Sequence, residues 1–176
     1  MSAPPPRRRR RPALPPGLDF WHPAALLSTW FGAGLLPIAP GTWGSLAALP
    51  IAWVIGARFG PTAAAAAGVA LFLLGLCAVK VYLEKSREED PRAVVIDEVA
   101  GQILAVVPAG LDPVAFVLGF LLFRVFDILK PWPLGAMERS LPGAAGVMAD
   151  DIGAAVYTSL CLGIFFLLTE RPNVFF

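Results

Sequence analysis

The sequence predicts an all-α fold: a polytopic integral membrane bundle of about five membrane helices plus one interfacial helix. Three observations carry that expectation. Hydrophobic residues fill 57% of the 176 positions and charged residues only 15%, well outside the balance of a soluble domain. The mean hydropathy is +0.69. The apolar residues also fall in runs of helical length, punctuated by Gly and Pro, with the charges crowded at the ends of those runs.

Residues 1–17 are rich in Pro and Arg and have almost nothing to bury, so they form an unpacked leader ahead of a single domain at 18–176. The formal net charge of +1 conceals five consecutive arginines, Arg7 to Arg11, on an otherwise net acidic chain. A basic tail beside an apolar segment sets membrane orientation, and nucleic acid is not the expected partner. Without a small-residue cleavage site after a short apolar core, the leader is expected to be retained. Residues 21–31 are aromatic and apolar but too short to cross, which suits an interfacial helix with His22 at headgroup level. From Gly32 to Ser45 repeated Gly and Pro imply a shaped loop. Runs at 45–59, 62–83, 93–108, 113–129 and 152–168 are the five helices, the third being the weakest as a span. Lys80, Lys85, Arg87 and Arg92 cluster in one connection, which the positive-inside rule places in the cytoplasm. Counting turns from there brings four polar motifs to the cytoplasmic face: the Gly/Pro loop, Asp97 with Glu98, Asp127 with Lys130, and Asp150 with Asp151.

Each of those motifs has a chemical reading. Asp97 and Glu98 stand early in an apolar helix, where each carboxylate costs about 2.5 to 3.5 kcal/mol on insertion scales. A divalent cation offsets that cost, and a salt bridge to Arg124 or Lys130 is the structural alternative. Arg124, Asp127 and Lys130 recur at three-residue steps on one helix face until Pro131 ends the helix. Asp150 and Asp151 are read as opening the last helix after a flexible linker at 143–146, where one of them suffices for capping. Hard oxygen ligands without clustered His or Cys favour Mg²⁺ over zinc; Cys77 and Cys161 lie apart in apolar runs. The Pro40-Gly41-Thr42-Trp43-Gly44-Ser45 loop leads into a helix whose first N–H groups suit an anion.

Together the run from Gly32 to Ser45, Asp97-Glu98-x-x-Gly101, Phe123-Arg124-x-x-Asp127-x-x-Lys130-Pro131-Trp132-Pro133, Arg139 and Gly146-x-Met148-x-Asp150-Asp151 resemble the phosphatidylglycerophosphatase A family. The likeness spans nearly all of residues 32–155, in order. It departs at the leader and at Ala144-Ala145, where the family's linker is richer in glycine. The resemblance implies a Mg²⁺-dependent phosphatase of the bacterial inner membrane, with its active site facing the cytoplasm. The reaction removes the terminal phosphate of phosphatidylglycerophosphate to give phosphatidylglycerol. Asp97, Glu98, Asp127, Asp150 and Asp151 then form the pool of metal ligands, and these with Lys130 are the catalytic candidates. Arg124, Lys130 and Arg139 would meet phosphate charge, and Thr42, Gly44 and Ser45 would donate hydrogen bonds. Attack by water and an aspartyl-phosphate step are both open. The sequence contains no Cys-x5-Arg loop, no Asp-x-Asp nucleophile pair and no pair of histidines. The rival class is a small ion-coupled transporter or channel, which predicts charges at mid-depth and an internal repeat. The sequence sets no oligomeric state.

Overall fold

The computed structural model describes residues 12–169, with the side chains of residues 137–139 outside the description. The described chain is all-α. Two short elements, α1 (Pro23–Ser28) and a 3₁₀ turn (Ala33–Leu35), lead into α2 (Pro40–Phe59) and α3 (Pro61–Lys85). Then come α4 (Ile96–Ala105), a 3₁₀ turn (Val107–Ala109), α5 (Pro113–Leu129), α6 (Leu134–Ser140) and α7 (Ala144–Thr169).

Local chemistry sets most boundaries. Proline occupies the first helical positions of α2, α3 and α5, where its missing N–H costs nothing. The Asp112 carboxylate caps α5 by accepting from the N–H groups of Val114 and Ala115 at 2.8 and 3.0 Å. His22 caps α1, its Nδ1 accepting from the N–H of Ala24 at 3.1 Å. That contact gives the lone histidine a structural task. At the other end of α5, Lys130 takes a left-handed conformation, φ 43°, and Pro131 follows.

The organising element is α4, which packs against α2, α3 and α7. Eight of its residues are buried, including Asp97 and Gln102. A helix enclosed on every side needs apolar residues all round, and here Ile96 and Ala100 face one cluster with Val79, Tyr82 and Met148. Val99 and Ile103 face a second cluster with Ala48, Ala52, Phe116 and Leu162. Gly101 makes the approach of α4 to its neighbours possible, because a Cβ there would stand 2.9 Å from the Phe123 ring and 3.0 Å from the Asp151 carbonyl.

Among the described residues two helices, α3 and α7, are long and apolar enough to cross a membrane. The count of five membrane helices is thus not matched by length: α4 has ten residues and rises about 15 Å, half the apolar thickness of a bilayer. Three boundaries also differ. The stretch 40–45, expected as loop, is the first turn and a half of α2, since Pro40 suits a helix start and the glycines serve close packing. The last helix begins at Ala144 and not at 152, because the small residues at 144–146 pack into a helical turn. The short helix α6 was not expected; it lies on α7, with Leu134 buried against Gly153. The end of the proline-rich leader is docked, with Leu14 and Leu18 on the α3 cluster and the Tyr82 hydroxyl donating to the Ala13 carbonyl at 3.1 Å. Residues 1–11, with the arginine run, lie outside the described residues.

Candidate active site

The start of α2, the start of α4, the end of α5 and the first turns of α7 meet around one cavity of about 920 Å³. Five carboxylates come together there from three helices. Ligand atoms of Asp97, Glu98 and Asp151 lie within 4.8 Å of one another, and so do those of Asp127, Asp150 and Asp151. Asp151 belongs to both groups and is nearly inaccessible.

Cations occupy only part of this ring. The Arg124 guanidinium donates to Asp127 Oδ2 at 2.8 Å, lies 4.0 Å from Glu98 Oε1, and donates to Ser45 Oγ at 3.2 Å. Ser45 in turn donates to the Gly41 carbonyl at 3.1 Å. The network ties α2, α4 and α5 together, with Gly41 leaving room for Glu98: a Cβ on residue 41 would collide with Glu98 Oε1. Lys130 Nζ meets Asp150 Oδ2 at 2.5 Å. The three-residue spacing thus holds for Arg124 and Asp127, but Lys130 leaves the helical face and reaches across to α7.

Carboxylates remain without compensation. Glu98 Oε2 and Asp151 Oδ1 are buried with no hydrogen-bond partner, a costly state for an ionised group. Burial raises Asp97 to about 6, against the relief of hydrogen bonds involving Glu98 and with the charge of Asp150 adding to the rise. Burial also pushes Glu98 well above the usual carboxylate range, reinforced by the charge of Asp97. Capping does not explain Asp150 and Asp151, which stand about two turns inside α7.

The remaining candidates divide. Thr42 lines the cavity beside Gly41, and α2 presents its first N–H groups there, since intrahelical bonding begins with Trp43 N–H to the Ala39 carbonyl at 3.3 Å. Ser45 is fully buried and engaged by Arg124. Gly44 lies against Val95, where a Cβ would come within 3.1 Å of that side chain, and is not among the lining residues. Arg139 is on α6, its side chain outside the described residues. Sequence reasoning used Arg87 and Arg92 for orientation alone, yet both line the cavity from the connection between α3 and α4. Their position at the end of a charged run was the available signal.

A helical, membrane-associated protein with a carboxylate centre beneath a polar cavity is the class these features define. The family model for phosphatidylglycerophosphatase A matches residues 26–166. Phosphatidylglycerophosphatase A of Escherichia coli K12 is 36% identical over 145 residues, 79% of each chain. The protein of that name from Haemophilus influenzae is 36% identical over 142 residues, 80% of this chain and 86% of its own. A Bacteroides thetaiotaomicron protein, provisionally named a phosphatidylinositol-3-phosphatase, is 38% identical over 146 residues, 79% of this chain and 91% of its own. No solved structure matches significantly. The chain belongs to the phosphatidylglycerophosphatase A family, and that membership supports hydrolase activity of the lipid-phosphatase type.

Proposed function

We infer that this protein hydrolyses the terminal phosphomonoester of phosphatidylglycerophosphate, yielding phosphatidylglycerol and inorganic phosphate, at the cytoplasmic face of a bacterial inner membrane. The observation that carries the reading is the convergence of five carboxylates from three helices on one cavity, two of them holding buried oxygens without partners. A phosphate dianion could not approach such a centre unless cations offset it.

The donor set fits Mg²⁺: oxygen ligands only, buried, from elements fixed by packing. Asp97, Glu98, Asp127, Asp150 and Asp151 are the residues that would hold it. When bound, the ion supplies positive charge against the phosphate oxygens in the transition state. The chain's own groups do the rest. Arg124 fixes Asp127 and lies toward Glu98, so that these carboxylates arrive oriented. Lys130 and the first N–H groups of α2 face the cavity as phosphate donors, with Thr42 at its edge. Water attacks phosphorus, the P–O bond to glycerol breaks, and a carboxylate takes the water's proton while the leaving oxygen is protonated from solvent. A transporter would place its charges at mid-depth, whereas these gather at one end of the bundle.

The deciding experiment is phosphate release by the purified protein from phosphatidylglycerophosphate, phosphatidic acid and phosphatidylinositol 3-phosphate, each with and without Mg²⁺. Preferred turnover of the first with Mg²⁺ supports the reading. Preference for phosphatidylinositol 3-phosphate would transfer the assignment to that substrate, and no release from any would refute it.

A further inference from the structure

Two walls of the acidic cavity are unlike. On one side the connection between α3 and α4 lines it with Ser86, Arg87, Glu88 and Arg92, a charged rim suited to water. On the other it is lined by Thr42 of α2 and Ile128 of α5, and the surface outside that wall is apolar.

The apolar surface has a regular origin. On α5 the exposed residues Val114, Val117, Leu121, Val125 and Ile128 recur at steps of three and four, so they form one stripe along the helix. The stripe runs about 21 Å at 1.5 Å per residue and ends at Ile128, 68% exposed, which also lines the cavity. On α2 the exposed residues Trp43, Leu46, Pro50 and Val54 make a matching stripe that starts beside Thr42. The two helices touch at Ser45–Arg124 and at Trp53–Phe116, whose ring centroids are 5.0 Å apart. Above the Ser45–Arg124 contact they flank the cavity.

Two other sides are partly covered, while Leu141, Pro142 and Gly143 line the cavity from the connection between α6 and α7. Leu14 and Leu18 of the N-terminal segment lie over the α3 end. On α7, α6 packs across the corresponding level, with Leu134 on Gly153 and the Tyr157 hydroxyl donating to the Trp132 carbonyl at 3.2 Å. Among the described residues the α2–α5 side carries two long apolar stripes continuous with the carboxylates.

We propose that the acyl chains of the phospholipid substrate lie on the outer face of α2 and α5, and that its headgroup turns into the cavity between Thr42 and Ile128, while water and phosphate exchange past the charged rim at residues 86–92. The proposal rests on the lipid-phosphatase reading above. It explains how a phosphomonoester reaches buried carboxylates while its acyl chains stay in the bilayer.

Two measurements test it. The first compares kcat/KM for the long-chain lipid in vesicles with kcat/KM for a short-chain, water-soluble analogue bearing the same headgroup. Ile128→Lys is expected to lower the long-to-short ratio at least about tenfold, equivalent to about 1.4 kcal/mol, while Val156→Lys on the exposed face of α7 leaves the ratio as in wild type. Equal ratios in all three proteins would overturn the proposal; a wild type inactive on both substrates would instead refute the phosphatase reading on which it stands. The second needs no variant. A phospholipid carrying a photoreactive group in its acyl chain should label peptides at 43–54 and 114–128 of the wild-type protein more heavily than those of α3 and α7. Even labelling of all helices, or protection of the α2–α5 face by a second copy of the chain, would overturn the proposal.

Discussion

At Asp127 local spacing and long-range convergence meet. Its carboxylate pairs with Arg124 one turn back and also stands in the group with Asp150 and Asp151. Asp127→Asn keeps an acceptor for Arg124 but removes the charge. The folded protein should therefore persist while turnover falls at least about a hundredfold, roughly 2.7 kcal/mol of transition-state stabilisation. Circular dichroism with phosphate release on the same sample checks both halves, and near-normal turnover would demote the residue to an ion-pair partner. Asp97 carries a different signature. Burial pushes it up to about 6 from an ordinary value of 3.8, so between those values the folded chain holds a proton that the unfolded chain has released. Stability then falls as pH rises from about 4 to about 6. In excess chelator the thermal midpoint should drop across that window, and Asp97→Asn should lessen the drop, with Glu98 supplying the rest. A midpoint independent of pH would contradict the buried carboxylate.

At the scale of elements, the site depends on how closely α4 approaches α5 and α7. Gly101→Ala places a methyl group 2.9 Å from the Phe123 ring and 3.0 Å from the Asp151 carbonyl. The carbonyl cannot move without displacing the aspartate it belongs to. We expect a loss of about 1 to 3 kcal/mol in stability from overpacking and a larger proportional loss of turnover than of folded protein. Denaturant titration beside single-turnover assays measures the two, and an unchanged rate would mean that Asp151 does not need its present position. The periodic apolar pattern made these helices legible in the sequence. Their true ends were less so, because the glycines at 41 and 44 and the alanines at 144 and 145 read as loop until the neighbours they pack against are known.

For the whole molecule, packing of apolar faces holds the bundle and the carboxylates hold the proposed ion, so the two should separate. EDTA is expected to abolish phosphate release while leaving helical content intact, with activity restored by Mg²⁺. Full turnover in chelator would remove the ion from the mechanism. The N-terminal segment also divides in two. Removing residues 1–11 should leave turnover per correctly inserted molecule unchanged and alter orientation or yield, whereas removing residues 1–16 deletes the Tyr82–Ala13 hydrogen bond and the Leu14 contact. The longer deletion should lower the thermal midpoint, by an amount reflecting about 1 kcal/mol or more. Equal midpoints for both deletions would show that the docked segment contributes nothing.

By itself the sequence determined the helical class, the apolar character and the pool of acidic residues, because composition and periodicity are properties of neighbouring positions. It also placed Arg124 against Asp127, a pair three residues apart on one helix. Only the tertiary structure decided which carboxylates draw together, Asp151 standing with Asp97 and Glu98 on one side and with Asp127 and Asp150 on the other, since the three helices' separation depends on what Gly41 and Gly101 leave unfilled. It also sent Lys130 to Asp150: once Pro131 ends the helix, the lysine is free of helical periodicity and its partner is set by where α7 packs.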